Sequence, residues 1–203
     1  LRAAVSEAVR RLEAAGIPVL PLSLPATRLC VPAYYILASA EASSNLSRFD
    51  GVRYGHRSAA GETLAERCAA SRTEGFGLEV RRRILLGTFV LSAGYQDQYY
   101  GRAQKAREAI REEFRRAFGT VDFLVTPATP EPAFRIGEKI TDPIAMYSQD
   151  ICTVGPSLAG LPALSVPAGH TAEGLPVGIQ LIGPAWSEAF LLAMAQRLAE
   201  VPA

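Results

Sequence analysis

The chain of 203 residues carries 21 basic and 20 acidic side chains for a formal net charge of +1, with 49% hydrophobic and 20% charged residues. That balance builds a folded core rather than a disordered chain, and its near-neutrality supplies no overall field to draw nucleic acid or an anionic membrane. Arg, Glu, Gly or Pro breaks every apolar run short of the roughly 20 residues a membrane-spanning helix needs, so a soluble protein with no membrane partner is expected.

In chain order, Leu1, Val5, Val9 and Leu12 recur at helical spacing before Gly16, and Ile17 to Leu20 read as a short buried strand leaving through Pro21 and Pro25. The small, apolar run from Cys30 to Leu46 predicts a buried helix. Residues 47–75 are richer in Gly, Ser and Arg, as a surface excursion would be. From Gly77 to Ser92, Val80, Ile84, Leu85, Phe89 and Leu91 predict a second helix, with Arg81, Arg82 and Arg83 near its start. A helix dipole disfavours cations there, so at least one of these arginines is expected to have an acidic or anionic partner.

The clearest pattern follows: Tyr99, Ala103, Ala106, Ile110, Phe114 and Ala117 make one apolar stripe, opposite a face of Arg107, Glu108, Arg111, Glu112 and Arg115. A long amphipathic helix ending near Gly119 is expected. Val121 to Val125 reads as a strand closed by Thr126 and Pro127, and the proline-rich stretch 127–143 as an extended loop over the end of a sheet. Ala163 to Val166 and Val177 to Ile182 are two more strands, and Ser187 can cap a last helix with Phe190, Leu191, Met194 and Leu198 inside. Strands alternating with long helices indicate an α/β layered fold with a largely buried sheet. Four strands are few for so many helices, and an upstream half-domain is expected to supply the others. Leu1, with no initiator Met or signal peptide, reads as an internal cut.

No catalytic centre emerges from residue chemistry alone. Cys30, Cys68 and Cys152 form no Cys-x-x-Cys pair and read as reduced thiols of a cytosolic protein. His56, His170, Lys105 and Lys139 sit in no motif. There is no nucleophile elbow, Walker-type loop or metal-ligand cluster. GPSLAG, from Gly155 to Gly160, has no Lys and fits a tight helix-strand junction better than a phosphate loop.

The stretch GPSLAGLPALSVPAGHTAEGLPVGIQLIG, residues 155–183, resembles the C-terminal hallmark of the amidase-signature family, in which two paired strands close the sheet. Three further blocks resemble a narrower group, the A subunits of the glutamyl-tRNA(Gln) and aspartyl-tRNA(Asn) amidotransferases: VPAYYILASAEASSNLSRFDGVRYG, TEGFGLEVRRRILLGTFVLSAGYQDQYY and DPIAMYSQDICTVGPSLAGLP. The resemblance implies an amidase-signature fold, layered helices around a mixed sheet, of which residues 1–203 form the C-terminal half of one domain. It also implies a glutaminase function feeding ammonia to a tRNA-dependent amidotransferase, a carbon-nitrogen ligase with glutamine as amido donor.

In that family a Ser activated through a second Ser by a Lys attacks the amide, and no position here matches any of the three. No catalytic residue is therefore carried over, and the chain alone is expected to be inactive. What carries over is substrate binding. Arg83, in VRRRILLG, matches the arginine that pairs with the glutamine α-carboxylate; Asp150, in MYSQDICT, matches the carboxylate that receives the α-ammonium; Tyr34, in AYYIL, matches a pocket-lining hydroxyl. A guanidinium grips a carboxylate through two parallel hydrogen bonds, which makes the pairing chemically apt. Read without the resemblance, Arg83 could belong to a solvated basic face, Asp150 could cap the segment after it, and Tyr34 could be core. The resemblance leads us to expect Arg83 and Asp150 to face each other across one amino-acid-sized cavity, with Thr126 and Pro127 as further lining residues.

The resemblance further implies no cofactor or metal in this chain, with ATP and Mg²⁺ used by a partner subunit. It implies two partner subunits, aminoacyl-tRNA reached only indirectly, and a cytoplasmic location. The polar residues Asn45, Ser47, Arg48, Asp50 and Arg53 suit a subunit interface within or beside the 47–75 excursion, against a plain solvated loop. Two other readings remain: part of an amidase-signature hydrolase of small amides, or a noncatalytic assembly module.

Overall fold

The computed structural model describes residues 2–138 and 142–200, so Leu1 and Lys139 lie outside the described residues. The helices are α1 (Arg2–Ala14), α2 (Cys30–Asn45), α3 (Leu64–Gly75), α4 (Leu78–Val90), α5 (Arg102–Ala117), α6 (Pro143–Tyr147), α7 (Val154–Ala159) and α8 (Glu188–Glu200). The strands are β1 (Leu124–Pro127), β2 (Ala163–His170) and β3 (Pro176–Ile182). The chain forms two compact units, residues 1–31 with 106–203, and residues 32–105.

The first unit is a three-stranded antiparallel sheet in the order β1-β3-β2, with Leu124 and Ala163 both opposite Ile182. Proline explains that order. Pro127 and Pro167 lack the N–H a ladder needs and fall on the two flanking strands, while β3, the central strand, has its single proline, Pro176, at its first residue. A register shift between Pro167 and Gly169 bends β2 near its end. Ala8 and Leu12 of α1, Leu191 and Leu198 of α8, and Val166, Ala168, Ile179 and Leu181 of the sheet form the core. Ile179 and Leu181 are wholly buried.

Ile17 to Leu20 do not form the expected strand. Pro18 removes a donor from within so short a segment and Pro21 another just after it; the segment forms no ladder among the described residues and instead packs Ile17 and Val19 against the core. The strand expected at Val121 to Val125 starts three residues later, at Leu124, and runs on through Thr126 and Pro127. The apolar stripe of α5 is confirmed, with Ala103, Ile110, Phe114 and Ala117 all buried. Tyr99 is not part of that helix: it sits in a single π-helical turn, Asp97–Gly101, before α5. The expected inner face of α8 holds for Leu191 and Leu198, while Phe190 is partly exposed with its ring edge-on to Phe123. The Ser187 hydroxyl donates to the Pro184 carbonyl at 2.7 Å. GPSLAG is the junction expected: α7 ends at Gly160, whose φ of +74° suits glycine.

The second unit is helical. Gly87 of α4 lies so near α2 that a Cβ there would overlap the Ser39 carbonyl, and this close approach sets the rotation of α4. The buried side of α4 consequently runs through Val80, Arg83, Ile84, Gly87 and Val90, whereas Leu85 and Phe89, expected inside, are exposed. Phe89 stacks at 4.6 Å on Tyr95 and lies 5.8 Å from Tyr99. The excursion at 47–75 is only half irregular, because Thr63 and Glu66 form a capping box that starts α3. That Thr-x-x-Glu spacing is visible in the sequence and is a helix-start signal.

Candidate functional site

Arg83 lies on the buried stripe of α4, not on its solvated face. Arg81 and Arg82 point outward; the Arg83 side chain is 35% exposed. Its Nε donates to Glu79 Oε1 at 3.1 Å, and Arg82 Nη1 donates to Glu79 Oε2 at 2.8 Å. The acidic partner expected for the basic run is thus Glu79, in the first turn of α4 where the dipole favours a carboxylate. The Arg83 Cζ sits 5.6 Å above the Tyr35 ring, a cation-π arrangement. Burial opposes the Arg83 charge and is the largest single influence. The hydrogen bond and charge of Glu79, together with Tyr34 and Tyr35, outweigh it and hold the guanidinium above the ordinary arginine range.

Tyr34 is half-buried on α2 and meets Tyr35 edge-on, with centroids 5.0 Å apart and rings at 84°. Tyr35, which the sequence reading passed over for its neighbour, is the ring beneath Arg83. Two adjacent tyrosines on one helix were the only signal available.

Asp150 lies in the first unit, half-buried in the short 3-10 turn Ser148–Cys152. Its carbonyl accepts from the Thr153 N–H at 2.9 Å and the Thr153 hydroxyl at 3.1 Å, and Thr153 occupies the cap position of α7. This turn is anchored to the sheet by Gln180, a buried polar residue of β3 missed in the sequence. Its Nε2 donates to the Cys152 carbonyl at 2.9 Å and to the Thr126 hydroxyl at 3.2 Å. A lone amide within an otherwise apolar strand, PVGIQLI, was the available clue. Thr126 and Val125 line a cleft of about 610 Å³ in this unit, between residues 17–22 and 120–126. It is distinct from the Asp150 turn.

His56, Ser58 and Glu74 meet in the second unit but do not make a nucleophile. His56 Nε2 lies 2.6 Å from Glu74 Oε2, and the Ser58 hydroxyl donates to Glu74 Oε1 at 2.7 Å. The carboxylate is therefore between the other two, whereas an activated serine needs the imidazole in that place. Ser58 Oγ also accepts from the Ala60 N–H, and Ser58 N–H donates to Ser71 Oγ. The group braces the irregular chain 49–61 against α3. Cys30 is buried, and burial, aided by the charge of Glu113, pushes its thiol up to about 11, which leaves it protonated and inert at neutral pH. The three cysteines are free, and among the described residues no His, Cys, Asp and Glu cluster could hold a metal ion.

Residues 1–192 match the profile of the family described as Amidase. The chain belongs to the amidase family. It is 51% identical over 195 residues to the A subunit of the glutamyl-tRNA(Gln) amidotransferase of Koribacter versatilis, covering 96% of this chain and 41% of that protein. It is 54% identical over 195 residues to the protein of the same name from Ralstonia nicotianae, covering 96% and 39%. Among solved structures, the A subunit of the glutamyl-tRNA(Gln) amidotransferase of Thermotoga maritima superposes with a TM-score of 0.67 at 37% identity, covering 98% of this chain and 37% of that one. This amidase-family chain thus spans about two fifths of the length of the curated relatives it matches. Among the described residues, no helix is long and apolar enough to cross a membrane.

Proposed function

We propose that this chain is the glutamine-orienting part of the amidase component of a tRNA-dependent amidotransferase, a cytoplasmic carbon-nitrogen ligase. Arg83 binds the substrate α-carboxylate, Asp150 receives the α-ammonium, and the Tyr34 hydroxyl lines the pocket. A free amino acid carries those two charges and a plain amide does not, so the pair selects glutamine. The reading is supported chiefly by the setting of Arg83, a charged arginine on a helix stripe that otherwise faces inward, held over an aromatic ring. The names of relatives more than half identical over nearly the whole chain support it as well.

Glutamine hydrolysis in this proposal depends on a Ser-Ser-Lys set that has no counterpart among these 203 residues, and the chain alone is expected to release no ammonia. Two partner subunits complete a heterotrimer, one of them using ATP and Mg²⁺ to activate Glu-tRNA(Gln) or Asp-tRNA(Asn). The polar segment around Asn45 to Arg53 is proposed to contact them.

The test is Arg83→Ala in the complete enzyme, assayed with glutamine and with a neutral amide. Losing a charge-assisted pair is expected to lower kcat/KM for glutamine roughly 10- to 150-fold while leaving the neutral amide within a few-fold. An equal loss with both substrates would assign the chain to a hydrolase of small amides. Failure to co-purify with partner subunits would exclude the heterotrimer.

A further inference from the structure

We infer that Glu79 is a positioning residue for Arg83: its carboxylate occupies the Nε side of the guanidinium, so that the Nη1–Nη2 end is presented to the carboxylate of an amino-acid substrate. The inference rests on the role proposed above for Arg83.

A guanidinium offers two forks, one from Nε with a neighbouring Nη and one from the two Nη atoms. Glu79 Oε1 takes Nε–H of Arg83 at 3.1 Å, which commits the first fork. Glu79 cannot swing freely, because its other oxygen accepts from Arg82 Nη1 at 2.8 Å. The Arg83 Cζ lies over the Tyr35 ring, 5.6 Å from its centroid, and Tyr34 meets Tyr35 edge-on at 84°. The Nε edge of the group is thus engaged, and its charge placed over an aromatic ring, before a substrate arrives. Preset geometry of this kind strengthens binding by reducing what must be ordered on association.

The placement follows from helix periodicity. Glu79 and Arg83 are four residues apart with the acid N-terminal, the better of the two orientations for such a pair. Glu79 is also the only acid between Glu74 and Asp97. A half-exposed ion pair of this spacing contributes little to stability, so its value here lies in orientation. A rival role exists: an acid in the first turn favours the α4 dipole wherever Arg83 points. A further rival is competition, in which Glu79 neutralises Arg83 and weakens substrate binding.

The experiment is steady-state glutaminase kinetics of the complete amidotransferase carrying Arg83→Ala, Glu79→Ala, Glu79→Gln or, as a control at another helical ion pair, Glu112→Gln. Glu79→Ala is expected to raise KM for glutamine on the order of 5-fold, with kcat changed about twofold at most. Glu79→Gln keeps an oxygen for Nε–H and is expected to recover most of that loss, while Glu112→Gln leaves KM within about twofold. A KM unchanged or lowered in Glu79→Ala, while Arg83→Ala raises it strongly, overturns the positioning role and leaves the role of Arg83 intact. Loss of kcat with KM unchanged assigns Glu79 to helix stability and overturns the inference equally. If Arg83→Ala itself leaves KM unchanged, the reading of Arg83 fails and this one with it. Should Glu79→Ala not assemble, Glu79→Ser, whose hydroxyl is too short to reach Nε–H, takes its place: a KM raised on the order of 5-fold supports the inference and an unchanged KM overturns it.

Discussion

The sheet-bearing unit and the helical unit hold together by different means. In the first, apolar side chains of α1, α8 and the sheet close over Ile179 and Leu181. In the second, α2 and α4 approach through a glycine, and hydroxyl and carboxylate groups tie irregular chain to α3. Leu85, Leu86, Phe89, Tyr95 and Tyr99 remain exposed there. The comparison teaches that an apolar core positions what it carries by volume, whereas a polar brace does so by direction. Arg83 belongs to the second kind, with its Nε edge held by Glu79 and its Cζ over the Tyr35 ring.

Four substitutions or conditions probe that difference. The largest effect is expected for Leu181→Ala, which leaves a cavity beside the central strand and costs about 2–5 kcal/mol. Native-state hydrogen exchange should show β3 amides losing protection. If α3 amides lose protection to the same extent, the two units unfold as one and the comparison fails. Gly87→Ala comes next. Its new methyl overlaps the Ser39 carbonyl, so α2 and α4 must separate, at about 1–3 kcal/mol. The same exchange measurement should find the loss in those two helices, and an unperturbed α4 would show that the close approach does not hold the second unit.

A smaller effect is expected from acid. Hydrogen bonds from Ser58 and then His56 hold the Glu74 carboxyl below its ordinary value of 4.5. A group depressed in the folded state contributes stability that is present above its unfolded value and lost as pH falls through the folded one. The amide signals of Ser58 and Ala60, followed by NMR, should therefore shift as pH falls below about 4.5. In Glu74→Gln that acid transition should vanish. The smallest effect has the opposite sign. Ser39 is wholly buried on α2, and its hydroxyl has no hydrogen-bond partner among the described residues. Ser39→Ala removes that unmet group and should be neutral or stabilising by about 1 kcal/mol, read from urea unfolding. A clear destabilisation would mean that the hydroxyl is engaged after all.

Much of this was legible beforehand. The stripe of α5, the junction at Gly160 and the strand pair β2 and β3 follow from periodicity and turn chemistry, which are local. That at least one of the arginines has an acidic or anionic partner was legible too, since the helix dipole disfavours cations near its start. Harder to read were positions where two local rules compete. Ile17 to Leu20 has strand composition, but Pro18 within it and Pro21 after it withhold donors. Leu85 and Phe89 have core composition, but Gly87 turns the helix so that they face out.

For this protein the sequence by itself determined the α/β class, because propensity and spacing are properties of the chain, and its motifs carried the amidase kinship. Tertiary structure decided which of three consecutive arginines turns inward, which of two consecutive tyrosines lies beneath it, and that a lone Gln180 ties the Asp150 turn to the sheet. Such choices depend on the rotation of one element against another. Packing sets that rotation, and no single segment contains it.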